Sequence, residues 1–301
     1  MDTLCRMKKI CFVGIAVAVA VLSTGKTFAD DTAASTASPT NMPSTRYGLF
    51  NGLDHRSSYG QGVYPEPFVV DDSDLESHEF RVDYLHTASG SDHGDIVHPE
   101  LEWGFGNLTL ELEAPYERDV AGGQTASGMD NVDIGARFPF FQYVSKNNLF
   151  DTAFGAGIEI GIPTTSTVSH DAEYVPKIFN DTKIGNFTVQ SILGLSMLAG
   201  PDADGGLNTF EYGFVFGYDI PHKTLPIPGV EKIIPVAELS GETELNHERA
   251  TNLTGDVGLR VNTKTIWGIQ PRPGVIFVFP LNNTARADQH WGVMASFVFE
   301  F

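Results

Sequence analysis

The chain ends Gln289-His290-Trp291-Gly292-Val293-Met294-Ala295-Ser296-Phe297-Val298-Phe299-Glu300-Phe301. Trp291, Val293, Ala295, Phe297, Phe299 and Phe301 share one parity and are all apolar, with His290, Gly292, Ser296 and Glu300 between them. A strand sends successive side chains to opposite faces, so this two-residue period describes an extended segment with one greasy face. A helix would space its apolar residues three and four apart. The period recurs at Phe210, Tyr212, Phe214, Phe216 and Tyr218, at Leu108, Leu110 and Leu112, and at Val132, Ile134, Ala136 and Phe138.

Extending the pattern predicts twelve strands, at 78–86, 97–105, 107–117, 130–140, 152–162, 173–184, 187–198, 208–218, 233–245, 254–262, 266–279 and 289–301, a count that could shift by two. The segment 173–184 fits worst. Asn180 and Thr182 occupy its apolar parity, and Pro176, like Pro235, Pro271 and Pro273 elsewhere, removes a ladder donor. The predicted links are long at 87–96, 118–129, 163–172, 199–207 and 280–288 and short at Gly106, Gly185-Asn186 and 263–265, with 219–232 the exception. Long loops on one side, tight turns on the other and an even strand number describe an all-β fold, a transmembrane antiparallel up-and-down β-barrel of about twelve strands. Phe105, Phe138, Phe154, Phe187, Tyr218, Trp267 and Phe301 would form one interfacial girdle beside the short turns; Tyr84, Tyr116, Tyr174, Phe210, Phe279 and Trp291 would form the other. A soluble β-sandwich also alternates, but it more usually has seven to nine strands.

Composition agrees. Only 42% of the 301 residues are hydrophobic, which suits a barrel that is apolar on alternate positions and leaves no room for a bundle of spanning helices. The formal net charge of -19 argues against nucleic acid as a partner, since polyphosphate rewards a basic footprint. Arg6, Lys8 and Lys9, the apolar run from Ile10 to Leu22 and the small residue Ala29 read as a secretory signal peptide over 1–29. It carries both cysteines, Cys5 and Cys11, so a processed chain has no thiol for a disulfide or a zinc site. Residues 30–76 read as a flexible Ser/Thr/Pro-rich leader followed by an extended periplasmic arm or partial plug, and 77–301 as the barrel.

With its alternate aromatics and terminal Phe, the ending Phe297-Val298-Phe299-Glu300-Phe301 resembles the C-terminal assembly signature of Gram-negative outer-membrane β-barrel proteins. The resemblance implies location in the bacterial outer membrane and recognition of Phe297, Phe299 and Phe301 by the barrel assembly machinery, with periplasmic chaperones on the way and lipid and lipopolysaccharide around a monomer. In length and general pattern the chain is also similar to predicted outer-membrane channels associated with aromatic-compound degradation.

If the apolar parity meets lipid, the other lines the lumen. Its candidate lining residues are Arg81, Asp83, Glu102, Glu111, Glu113, Asp133, Arg137, Glu159, Glu211, Glu238, Glu242, Asp256, Arg260 and Arg272. Counting also Glu79, Glu100, Asp181, Glu244 and Glu300 with Lys177 and Lys183, the inward tally is 15 acids against 6 bases. Charges at membrane depth must face water or one another. The expectation is a narrow acidic channel for passive passage of small hydrophilic or cationic solutes. The alternatives are a closed structural barrel that binds through acidic outer loops, or a rim hydrolase built from His290, Ser296 and Glu300 or from Ser169, His170 and Asp171. The last is the weaker, because the sequence has no G-x-S-x-G and no H-E-x-x-H, so no enzyme activity and no cofactor are expected. His86, His93 and His98, with Asp92 and Asp95, offer a weak metal candidate without regular spacing. Asp202-Ala203-Asp204-Gly205-Gly206 lacks the later carboxylate of a calcium loop.

Overall fold

A computed structural model describes residues 67–71, 78–105, 108–145, 149–200, 208–246 and 249–301. The signal-peptide assignment, most of the leader and arm, Gly106 and the 202–206 motif lie outside the described residues.

The strands are β1 (His78–Ser89), β2 (Asp92–Phe105), β3 (Leu108–Glu113), β4 (Tyr116–Ala121), β5 (Gln124–Met129), β6 (Val132–Val144), β7 (Phe150–Ile162), β8 (Ala172–Ile184), β9 (Phe187–Ala199), β10 (Asn208–Tyr218), β11 (Ile220–Pro221), β12 (Val230–Glu244), β13 (Thr251–Thr263), β14 (Gln270–Pro280) and β15 (Trp291–Glu300), with one short helix, α1 (Asn283–Asp288), before the last. Twelve of them, β1 to β3, β6 to β10 and β12 to β15, pair antiparallel in one ring. The ring closes where β1 pairs with β15 from Glu79↔Glu300 to Ala88↔Trp291. Phe301 N donates to His78 O (2.8 Å) at that seam, and the Trp103 ring packs edge-on to His78 (4.8 Å) and to Phe301 (5.8 Å). Closure leaves the twelve-strand ring without a free edge, which a sheet in hydrocarbon requires.

The outward face is the apolar parity. Phe80, Leu110, Ile134, Phe138, Ile158, Val257, Val275, Phe277 and Phe297 are all exposed there, and Tyr84, Tyr116, Tyr174 and Trp291 are exposed toward the far rim. A closed barrel presenting that belt is an outer-membrane β-barrel. The polar misfits of β8 satisfy themselves: Asn180 Nδ2 donates to Thr152 Oγ1 (3.0 Å) and to Ala153 O (2.8 Å), and the Thr152 and Thr182 hydroxyls share a bond of 2.8 Å. The β8–β9 pairing passes from Tyr174↔Met197 to Lys177↔Gly194, interrupted at Val175 and Pro176, the second of which has no N–H to give.

Several predicted boundaries are corrected. Residues 87–96 are not a long loop: β1 and β2 continue to a tight turn at Gly90-Ser91, whose glycine takes φ 65°. Residues 118–129 are a second hairpin, β4–β5, turning at Gly122-Gly123. β3 and β4 follow one path along β2, broken at Ala114-Pro115, so the sheet rises past the belt on this side. Above the lipid nothing selects an apolar outward face, which is why the two-residue period gave no sign of these extensions. The start assigned at 266 falls four residues early. Ile266–Ile269 is a tight turn in which Trp267 adopts φ 54° and stands 99% exposed, outside the girdle assigned to it, and Gly268 follows at φ 88°.

Candidate functional site in the barrel lumen

The inward parity builds two different sectors. On one side Leu85, Phe179, Ile192, Val215, Ile234, Val236, Ile276, Val278, Met294 and Val298 form an apolar cluster. This cluster was missed because the inward positions were read for their charges. The opposite sector is ionic.

Between them lies residue segment 67–71, held inside the barrel. Phe68, Val69 and Val70 are buried in the apolar cluster. Their three backbone N–H groups donate to the Glu238 carboxylate, Phe68 to Oε1 (2.7 Å) and Val69 and Val70 to Oε2 (2.8 and 2.9 Å). Successive amides converging on one anion give a concave cradle, and charge-assisted bonds of this kind are about twice as strong as neutral ones. The segment's carbonyls are bonded from the wall as well: Arg81 Nη2 donates to Phe68 O (3.1 Å) and Arg260 Nη2 to Pro67 O (3.0 Å). The Arg260 guanidinium lies 4.1 Å from the centroid of the Phe68 ring, a cation–π contact. Gly274 makes room for that ring, since a Cβ there would stand 2.5 Å from Phe68 Cζ. The far end is tied by Asp71, whose carboxylate pairs with Lys177.

Every candidate lining residue stands on the inward parity. Arg81, Asp83, Glu102, Glu111, Arg137, Glu211, Glu238, Asp256, Arg260 and Arg272 are buried, and Glu113, Asp133, Glu159 and Glu242 are half-buried. The bases organise the acids. Arg81 stands between Asp83 (2.6 Å) and Glu100 (3.7 Å). Arg137 serves both Glu102 and Glu111, Lys177 both Asp71 and Glu159, and Arg272 pairs with Glu300. Toward the end that carries the chain terminus, Asp219 accepts from Lys183 (3.0 Å) and Lys232 (3.1 Å). Phe68, Val70, Asp71, Arg81, His98, Glu100, Glu113 and Glu159 line a partly open cavity of about 30 Å³.

The other candidate sets are not assembled. His98 faces inward, with Nε2 2.5 Å from Glu113. His86 and His93 lie on the opposite parity, 6.1 Å apart by ring centroid, with His86 Nδ1 2.9 Å from Asp95. A shared metal site of the three is therefore corrected: they point to opposite faces. Ser296 accepts from Arg260 Nη1 (3.0 Å) and Glu300 pairs with Arg272, whereas His290 is exposed in the loop after α1, about 20 Å along the strand from Ser296 at roughly 3.3 Å per residue. Ser169 donates to Asn131 Oδ1 (2.5 Å) and accepts from Thr164 N (3.1 Å), closing its loop. Of the residues overlooked, Phe68 and its neighbours left one trace: Phe68-Val69-Val70 is an unbroken apolar triplet just before Asp71-Asp72 in an otherwise polar, Gly- and Pro-broken arm.

No protein-family model matches the chain, and no curated protein matches it. Among solved structures it is similar to an outer membrane channel from Pseudomonas putida F1, at 13% identity and TM-score 0.51 over 77% of this chain and 100% of that one. It is also similar to the NanC porin, at 8% identity and TM-score 0.45 over 74% of this chain and 98% of that one. For the β domain of the Bordetella autotransporter BrkA the values are 14% and 0.43, over 76% and 100%. At such identities the likeness to the first of these is one of fold, a closed antiparallel barrel spanning the outer membrane.

Proposed function

We propose that this protein is an outer-membrane channel for small hydrophilic or cationic solutes whose lumen is closed at rest by segment 67–71. One observation carries the reading: the segment is held by hydrogen bonds and ion pairs from the wall, through Glu238, Arg81, Arg260 and Lys177, and not by a covalent link. Such contacts can be exchanged for water, and a segment that leaves exposes a wall lined by acids. Twelve strands enclose more space than the eight that side chains alone fill, and less than the sixteen of an aqueous porin, which fits a lumen that one short segment can stopper. The excess of inward acids over bases favours cations in the cleared passage. On this reading Phe297, Phe299 and Phe301 present the outward aromatic face by which the barrel is assembled, and no residue is assigned chemistry.

The apolar cluster favours a second reading, a barrel permanently filled for stability, with its outer hairpins as the working surface. Single-channel recording in planar bilayers separates the two. A chain lacking residues 30–76 is expected to give cation-selective steps where the longer chain gives rare or none. A silent truncated barrel that is folded and inserted refutes the channel.

A further inference from the structure

Segment 67–71 is an occupant whose contacts show what the wall recognises. Among the described residues, every hydrogen bond between the wall and residues 67–70 ends on a main-chain atom. Glu238 accepts from the N–H groups of Phe68, Val69 and Val70, Arg81 donates to Phe68 O and Arg260 to Pro67 O. None of these bonds depends on which side chain the bonded residue carries. Residues 68–70 take no positive φ, so the bend asks for no glycine and other L-residues can adopt it.

Side-chain selection is confined to two places. The Phe68 ring lies 4.1 Å from the Arg260 guanidinium and fills the room left by Gly274, and Lys177 takes the Asp71 carboxylate. The wall groups that hold the main chain are themselves buried: Glu238 is 4% exposed, Arg81 5% and Arg260 0%. Charges at such depth are costly when stripped of partners, so whatever replaces the segment must restore their hydrogen bonds. A peptide brings the same series of N–H and C=O groups at the same spacing, with a carboxylate for Lys177. A single amino acid or a sugar has no run of consecutive amide N–H groups to fill the Glu238 cradle.

We infer that the lumen is a peptide-binding site, and that the solutes admitted by this barrel include short peptides that take the place of segment 67–71. The inference rests on the reading above in one respect, that the segment leaves. The segment is then a tethered competitor, present at an effective concentration on the order of millimolar, and a free peptide binds when it is out. A large flat side chain one residue before two apolar ones suits the pocket at Gly274 and the apolar cluster beyond it.

The test is calorimetric titration of acetyl-Pro-Phe-Val-Val-Asp-amide into the folded full chain in detergent. Val69→Asp with Val70→Asp puts two carboxylates into the apolar cluster against Glu238, and cleavage of the segment by added protease shows that it has left the lumen. Far-UV circular dichroism confirms that the barrel has formed. One peptide per barrel is expected in this variant, and much weaker binding in the unaltered chain. Affinity should fall about tenfold or more when Glu238→Gln is added, and likewise when the peptide is N-methylated at Phe and both Val residues. A second peptide, acetyl-Ala-Phe-Leu-Ala-Glu-amide, is expected to bind too. The inference is overturned by no binding at millimolar peptide, by equal binding of the N-methylated peptide, or by binding of the first peptide alone, which leaves a dedicated plug. A segment that stays uncut with both residues charged also overturns it, because nothing then displaces it. A barrel that binds peptide but never conducts keeps the site and loses only the passage; cation steps without peptide binding keep the channel and remove the site.

Discussion

Glu238→Gln tests how the inner segment is held. The carboxylate accepts three backbone N–H groups from consecutive residues. Hydrogen bonds to a charged group contribute about 1.5–3 kcal/mol each and neutral ones about 0.5–1.5 kcal/mol. Glutamine has a single acceptor oxygen; turned to keep the bonds from Val69 and Val70, it aims its NH₂ at the Phe68 N–H, donor against donor. Three bonds to a charge become two to a neutral amide, a loss of about 3.5–6 kcal/mol. Part returns, because Asp256 is the β13 register partner of Glu238 and loses an acidic neighbour. A net shift of about 3 kcal/mol raises the released fraction about a hundredfold. Both cysteines lie in 1–29, so a Val69→Cys chain prepared without those residues has a single thiol, and residue 69 is buried at 3% exposure. Its alkylation rate in the folded barrel reports release of the segment, and it should rise about a hundredfold when Glu238→Gln is added. An unchanged rate refutes the claim that the Glu238 cradle holds the segment.

Gly274→Leu places a side chain where Phe68 Cζ stands 2.5 Å from a bare Cβ, so it should expel the ring and raise the same alkylation rate with little change in barrel content by circular dichroism. Arg260→Ala removes the cation–π contact and the bonds to Pro67 O, Arg272 O and Ser296, and should cost about 1.5–3 kcal/mol for each hydrogen bond lost in urea unfolding from lipid vesicles, as bonds to a charged group do. Val275→Arg, on the outward face halfway along β14 and 51% exposed, should cost about 2–4 kcal/mol in the same assay. Lys177→Met leaves Asp71 and Glu159 without their base, and its folded fraction should fall at neutral pH and recover as acid neutralises the pair.

The outward face was legible in the sequence because it is dictated residue by residue. Trp291, Val293, Ala295, Phe297 and Phe299 alternate because each must meet lipid, and the backbone turns every second side chain the same way, so a local pattern reports a global boundary. Parity therefore placed the charged candidates, Arg81 and Glu238 among them, on the inner wall without any knowledge of the neighbours. Where the boundary ends the signal ends: His86, Asp95 and Arg118 lie on strands that continue into water, where no apolar face is required. Trp267 shows the converse error, an aromatic of the expected parity placed in a left-handed turn that alternation cannot detect.

What an inward side chain meets is set by the closing of the ring. The pairing of β1 with β15 brings Glu79 beside Glu300, 221 positions along the chain (300 - 79 = 221), and no local pattern encodes which inward carboxylate a given base will serve. The same holds for the inner segment. Phe68-Val69-Val70 is only an apolar triplet until the barrel surrounds it; then three amides, bound to water in the open chain, find Glu238 170 residues away. The sequence by itself determined a membrane barrel and the direction of each side chain, because those follow from backbone geometry and the solvent on either side. Only the tertiary structure decided that the lumen is occupied and which acid each inward base serves, because both depend on distances between strands remote in the chain.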